Sequence, residues 1–262
     1  MINLFNKIGQ SILDLLEVLG AFSIFAGHTF KYIFVPPFDA TNLLYQMREI
    51  GVKSIPVGVV SSFFVGMVMA LQLGGPMEQQ IQGISTFMGG GISLAMVREL
   101  APVLTAVLLA GRVGSSIAAE VGTMKVTEQI DALSTLATNP IHYLSVPRFL
   151  AALTCIPMIT VMAIVVGVFG GALISNLSLD IPYNLYFDSA KTLVRSTDLI
   201  SGVGKTFFFG AEISLVACFS GFRARGGAEG VGQATIQAVV YSFMLIIISD
   251  YFITYIFQIF GL

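Results

Sequence analysis

Five stretches of this chain stay apolar for about as long as a helix needs to cross a bilayer. They lie at 56–73, 92–117, 149–175, 199–220 and 236–258, the first at the short limit. Ahead of them Leu4, Ile8, Ile12, Leu15 and Leu19 recur at helical spacing, opposite Lys7, Gln10, Asp14 and Glu17. That alternation suits a helix lying in the membrane interface, or an amphipathic helix packed on protein. Residues 21–35 are apolar but short and are stopped by Pro36-Pro37, so they are expected to dip into the membrane without crossing. Residues 40–51 predict a surface helix with Leu43, Leu44, Met47 and Ile50 on one side. The expected architecture is an all-α integral membrane protein. Interfacial and elbow helices occupy 1–55, and a five-span domain occupies 56–262.

The polar blocks between spans set the orientation. Lys7, Lys31, Arg48 and Lys53 precede the first span, Lys125 and Arg148 bracket the segment after the second, and Arg223 and Arg225 follow the fourth. Segment 74–91 and the C-terminus carry no basic residue, while 176–198 carries Lys191 and Arg195. The positive-inside rule then places the N-terminus in the cytosol and the C-terminus on the far side. Segments 74–91 and 176–198 read as loops, and the glycine-rich 225–235 reads as a cytosolic turn.

Small residues recur every four positions at Ala110, Gly114, Ala118 and Gly122, at Gly66, Ala70 and Gly74, and at Gly167 and Gly171. Such stripes let helices pack closely or dimerise in lipid. Beyond the first stripe lies an amphipathic segment, 123–137, with Val126, Ile130, Leu133 and Ala137 on one face. Thr127 is positioned to cap it, Glu128 suits the positive end of its dipole, and Asn139-Pro140 ends it. A short amphipathic helix outside the membrane either covers its own bundle or docks into a partner.

Composition agrees with a membrane protein and narrows the chemistry. Only 11% of the 262 residues are charged, against roughly 25% in soluble domains. Cys155 and Cys218 sit in apolar runs and support neither a disulfide framework nor a metal site. "SGVGKT" (201–206) resembles a phosphate-binding loop, but that loop needs glycine where Leu199 stands. Any ATP used must therefore be hydrolysed on another chain. His28 and His142, both outside the spans, offer no serine–histidine pair and no acyltransferase motif, so an enzyme is disfavoured.

Charges inside spans are costly, about 3 kcal/mol or more each when unpaired. Counted from the cytosolic ends, Arg98 lies about 25 Å up, Asp250 about 21 Å and Lys205 about 22 Å. With Glu99 beside Arg98, these four converge on the outer half of the membrane, and Glu212 sits nearer the middle. Matched depth suggests pairing, such as Arg98 with Asp250. The cluster is either a structural ion-pair network or the polar wall of a lipid cavity.

"VRELAPVLTAVLLAGRVGSSIAAEVGTMKVTEQIDAL" (97–133) resembles the hallmark segment of the MlaE family of ABC-transporter permeases. "NP" (139–140), "VPRFLA" (146–151) and "GGAEGVGQATIQAVVYS" (226–242) match the same family in the same order, and the resemblance covers nearly all of the chain after residue 40. It implies a homodimeric phospholipid permease of a bacterial inner membrane, or of a chloroplast envelope. The lack of an obvious transit peptide favours the bacterium. Two cytosolic ATPase subunits would bind the ATP and Mg, leaving no cofactor on this chain. An MCE-domain protein would exchange lipid with it, and in some members a STAS-domain protein binds the ATPase. No nucleic acid is involved. Under this resemblance 123–137 is the coupling helix, with Glu128, Gln129, Ile130, Asp131 and Leu133 in a cleft of the ATPase. The competing transport mechanism is an ion-coupled secondary transporter using Asp250 or Glu212. No inverted repeat supports it.

Overall fold

The computed structural model describes residues 2–36, 39–80 and 85–260, and these are helical almost throughout, with no strand among them. Helix α1 (Ile2–Ile33) is continuous, so the amphipathic start and the apolar stretch at 21–35 are one element. The side chains of Leu4, Ile8, Ile12 and Leu15, like Pro37, lie outside the described residues. Phe22 and Phe25 dock α1 on Phe219 and Phe222 of a later span, while Leu13, Leu16 and Leu19 stay exposed. Helix α2 (Ala40–Ile50) is capped by Asp39, whose carboxylate accepts from Asn42 N at 3.0 Å. A single 3₁₀ turn, Val52–Ser54, joins it to α3 (Ile55–Gln80).

The second span is assembled from α4 (Ser85–Ala95), α5 (Ala101–Leu109) and α6 (Ser115–Val126), separated by π-helical segments at Met96–Leu100 and Ala110–Gly114. Then come the short α7 (Gln129–Thr135), a π segment at Ile141–Ser145 and α8 (Val146–Leu179). Helices α9 (Tyr183–Leu193), α10 (Ser196–Phe222) and α11 (Gly227–Ile259) complete the chain. Five helical segments are long and apolar enough to cross a membrane: Ala40–Gly74, Phe87–Val126, Ile141–Leu179, Ser196–Phe222 and Gly227–Ile259.

Three expected loops are shorter than their sequences suggested. Segment 74–91 is largely helix, because α3 runs to Gln80 and α4 begins at Ser85; residues 81–84 lie outside the described residues. Within 176–198, α9 folds onto α4, where Gly89 lies so close that a Cβ would meet Tyr186 O at 2.1 Å. Tyr186 itself is buried, which pushes its phenol up to about 12, and its hydroxyl donates to Val168 O at 3.3 Å. The glycine-rich turn is reduced to Gly226 and Gly227, at φ 88° and 70°, and α11 starts at once.

The small-residue stripes pack within the chain. A Cβ on Gly66 would meet Gly167 O at 1.9 Å, and one on Gly170 would meet Phe63 O at 2.3 Å, so α3 and α8 touch backbone to backbone. Ala110, Gly114, Ala118 and Gly122 are all buried, facing α10 and α11. Two cores result. One, at the α7 end, runs through α5, α6, α8 and α10; the other joins α3, α4, α8 and α9.

Candidate functional site

At the α7 end the backbone departs from the single 123–137 helix that the sequence predicted. Val126 closes α6, and Thr127 does not cap a new helix: its N–H bonds Thr123 O at 3.0 Å and its hydroxyl donates to the same carbonyl at 2.8 Å. Glu128 then adopts φ 60°, a left-handed conformation that breaks the helix and re-aims the chain. Ala137, at φ 57°, ends the segment and leaves the apolar face. Asn139 starts the next helix, its Oδ1 accepting from Ile141 N at 3.0 Å.

This break divides the five predicted coupling residues into two sets. Ile130, 4% exposed, is part of the core, and Leu133 packs against it. Glu128, Gln129 and Asp131 are exposed on the other side, with Leu136 at 75% exposure beyond them. Lys125 Nζ lies 3.0 Å from Asp131 Oδ1, tying α7 back to α6 across the break. The result is a pinned helix with an acidic, solvent-facing edge.

Beneath it lies a pair that sequence reading missed. Arg148, 2% exposed, places Nη2 2.9 Å from Glu120 Oε2 and donates from Nη1 to Leu144 O at 2.8 Å. It fastens the start of α8 to α6. In the sequence Arg148 stood at the edge of the third span and counted only as an orienting charge, and Glu120 had no span-depth argument.

At the opposite end the π segment Met96–Leu100 presents Arg98 and Glu99 to α10 and α11. Lys205, 1% exposed, donates to Glu99 Oε1 at 2.7 Å and to Arg98 O at 3.2 Å. Its Nζ is also 3.0 Å from Asp250 Oδ1, an ion pair by distance that lies off the hydrogen-bond direction. Thr254 donates to Glu99 Oε1 at 3.4 Å. Arg98 Nε lies 3.4 Å from Asp198 Oδ1, and the second oxygen of that carboxylate accepts from Arg195 N at 2.8 Å.

The expected pairing of Arg98 with Asp250 is therefore replaced: Lys205 holds Asp250, and Arg98 meets Asp198. Depth counting gave the right height but no position around the bundle, where α10 contributes both Asp198 and Lys205. Asp198 escaped notice because the fourth span was started at 199, three residues after α10 begins at Ser196. Glu212 lies about two turns beyond Lys205 along α10 and accepts from Ser249 at 3.0 Å. "SGVGKT" spends its residues on packing: a Cβ on Gly202 would meet Val97 O at 2.0 Å, and Lys205 is the ion-pair centre. Among the described residues no three His, Cys, Asp or Glu side chains gather to hold a metal.

A buried lysine between two carboxylates, a pinned helix at the other end of the same spans, and five apolar crossings describe a membrane machine with polar parts at both ends. Comparison with known proteins names the type. Residues 43–256 match the family model described as "Permease MlaE". A "Probable ABC transporter permease protein" of Rickettsia bellii is 41% identical over 262 residues, covering 98% of each chain. "Protein TRIGALACTOSYLDIACYLGLYCEROL 1, chloroplastic" of Arabidopsis thaliana is 40% identical over 228 residues, which is 87% of this chain and 65% of the relative. The "Intermembrane phospholipid transport system permease protein MlaE" of Haemophilus influenzae is 31% identical over 257 residues, 97% of each chain. With the match spanning all five crossings, the chain belongs to the MlaE permease family.

Proposed function

We propose that this chain is the membrane subunit of an ABC transporter that moves phospholipid between a bacterial inner membrane and an MCE-domain partner. It works as a homodimer, and a separate cytosolic ATPase hydrolyses the ATP, with Mg, at its own site. The α7 end faces the cytosol, as the lysines and arginines around it favour, which puts the N-terminus inside and the C-terminus in the periplasm. A STAS-domain protein bound to the ATPase is compatible with this arrangement.

The observation that carries the reading is the geometry of α7. Its apolar side is locked into the bundle by Ile130, and Glu128, Gln129 and Asp131 are presented outward. A helix that merely covered its own core would have no reason to be aimed by a left-handed Glu128. Motion imposed on that outward edge passes through Ile130 into α6 and α8, whose ends Glu120 and Arg148 join. At the periplasmic end the Arg98–Asp198 and Glu99–Lys205–Asp250 groups supply the polar side of a lipid path. The guanidinium of Arg98, paired with Asp198 and partly exposed, is one of the polar groups on that side.

Co-purification of the chain with an ATPase from its native membrane, followed by reconstitution with fluorescent phospholipid and an MCE-domain acceptor, tests this. ATP-dependent lipid transfer that fails when the ATPase is left out supports the reading. Transfer driven by a proton or sodium gradient without ATPase would replace it with ion coupling through the intramembrane carboxylates.

A further inference from the structure

Between α2 and the cytosolic half of the second span lies a cavity of about 440 Å³, a volume within the range of small-ligand pockets. It is separate from the Lys205 group and shares only Glu120 with the α7 end. Gln46, Glu49 and Tyr45 line it from α2, and Arg112, Ser116 and Glu120 line it from the facing helix. Gln46 is the informative residue. The residue is 4% exposed and stands on the cavity wall, so the cavity is the space open to its amide. An amide there offers a ligand both N–H donors and a carbonyl acceptor.

The charges say what that ligand is. Arg112 donates to the neutral hydroxyl of Ser54, so its positive charge is not neutralised there. Glu49 and Glu120 already have cationic neighbours, Lys53 at 2.6 Å and Arg148 at 2.9 Å, but both still face the cavity. One wall thus attracts an anion while the others offer carboxylate and amide oxygens. The depth fits as well: Ser54 marks the point where the polar α2 and 3₁₀ turn give way to the apolar α3, which is head-group level in a bilayer.

We infer that this cavity is a binding site for the zwitterionic head group of a phosphoethanolamine lipid from the cytosolic leaflet. The phosphate sits at Arg112, Gln46 bonds a phosphate oxygen or the amine, and the ammonium points to Glu49 and Glu120. A primary ammonium has three N–H donors for these acceptors, and a choline has none. The site rests on the orientation and lipid-handling role proposed above and adds to them the leaflet and head group of a bound lipid.

The test uses the chain in its native complex, in nanodiscs without nucleotide. A photoactivatable phosphatidylethanolamine is cross-linked and the labelled peptides are mapped. Label is expected within residues 40–50 and 112–120. Unlabelled phosphatidylethanolamine should compete about tenfold better than phosphatidylcholine or phosphatidylglycerol, the worth of one charge-assisted hydrogen bond. Gln46→Leu and Arg112→Gln should each lower this label severalfold while label elsewhere on the chain persists, which also reports that the variants are folded. Three results overturn the site: no label in these segments, equal competition by the three lipids, or equal competition by soluble glycerophosphoethanolamine. Because no ATP is present, absent label with intact ATP-driven transfer rejects this site alone. Normal label with no ATP-driven transfer rejects the transport reading alone.

Discussion

Lys205 and Glu99 form a 2.7 Å ion pair in which the lysine is buried and the glutamate is partly open. Asp250 completes the group from α11. Lys205→Met would leave two carboxylates without their shared cation, Asp250 mostly buried and Glu99 open to water, with an expected loss of about 1–3 kcal/mol. The triple change Glu99→Gln, Lys205→Met, Asp250→Asn removes those charges and should recover most of that stability. Thermal unfolding in detergent measures both. If the triple variant is no more stable than Lys205→Met, the three groups are not energetically coupled.

The two faces of α7 should respond differently. Ile130→Asp puts a charge into the core and should cost more than about 3 kcal/mol, lowering folded yield. Asp131→Lys breaks only an exposed pair with Lys125, worth about 0.2–1 kcal/mol, and should leave stability nearly unchanged. If α7 is the ATPase contact, Asp131→Lys and Leu136→Asp both reduce co-purification of the ATPase from folded protein. Full retention by both variants would reduce α7 to a cover.

Backbone and charge at Glu128 can be separated. Glu128→Gly should raise stability slightly, by about 1 kcal/mol, since glycine adopts φ 60° without strain. Glu128→Gln keeps the strain and removes the charge. Weaker ATPase binding in both variants assigns the effect to the carboxylate. Weakening in Glu128→Gly alone assigns it to chain geometry.

Arg148 and Glu120 are unequal partners. Glu120→Gln leaves a buried guanidinium without its counter-ion, and Arg148→Met leaves a half-exposed carboxylate that water can reach. The first change should therefore be the more destabilising, by about 3 kcal/mol against little more than 1 kcal/mol. The reverse order in chemical or thermal unfolding would show that Arg148 matters mainly through its packing.

Glycines of equal sequence prominence should differ just as sharply. Gly66→Ala forces a methyl against Gly167 O, so α3 and α8 must separate, at roughly 1–3 kcal/mol or more. At Gly91, in a helix with no atom near its Cβ direction, alanine should stabilise by up to about 1 kcal/mol. Melting temperatures of the two variants should therefore move in opposite directions.

Sequence periodicity was enough to place the five crossings, and four-residue spacing was enough to find Gly66 and Gly167, because close helix contact in lipid demands small residues. Extramembrane helices were harder. The α9 helix lacks a long apolar stripe and is held by backbone contact at Gly89, which no pattern in its own residues reveals. Pair identities were hidden for a related reason. Residue counting along a helix gives height, whereas the partners Asp198 and Lys205 depend on which helix stands beside which. The left-handed Glu128 was equally invisible, since glutamate carries no turn signal.

Span two also contains slack. Each π segment, Met96–Leu100 and Ala110–Gly114, accommodates about one residue more than an α-helix would over the same length. The α-helical pieces on either side consequently stay in phase as though that residue were absent. A single-residue deletion inside Ala110–Gly114 should be absorbed by reverting the turn to α-helix. The same deletion inside α5 should rotate the following segment by about 100° and misalign its buried stripe. A deletion scan read by folded yield would trace this difference, and equal damage at both places would show the bulges to be rigid. The spare residues fall where Arg98, Glu99 and Arg112 sit, so the extra residue of each bulge sets the direction in which those charges leave the span.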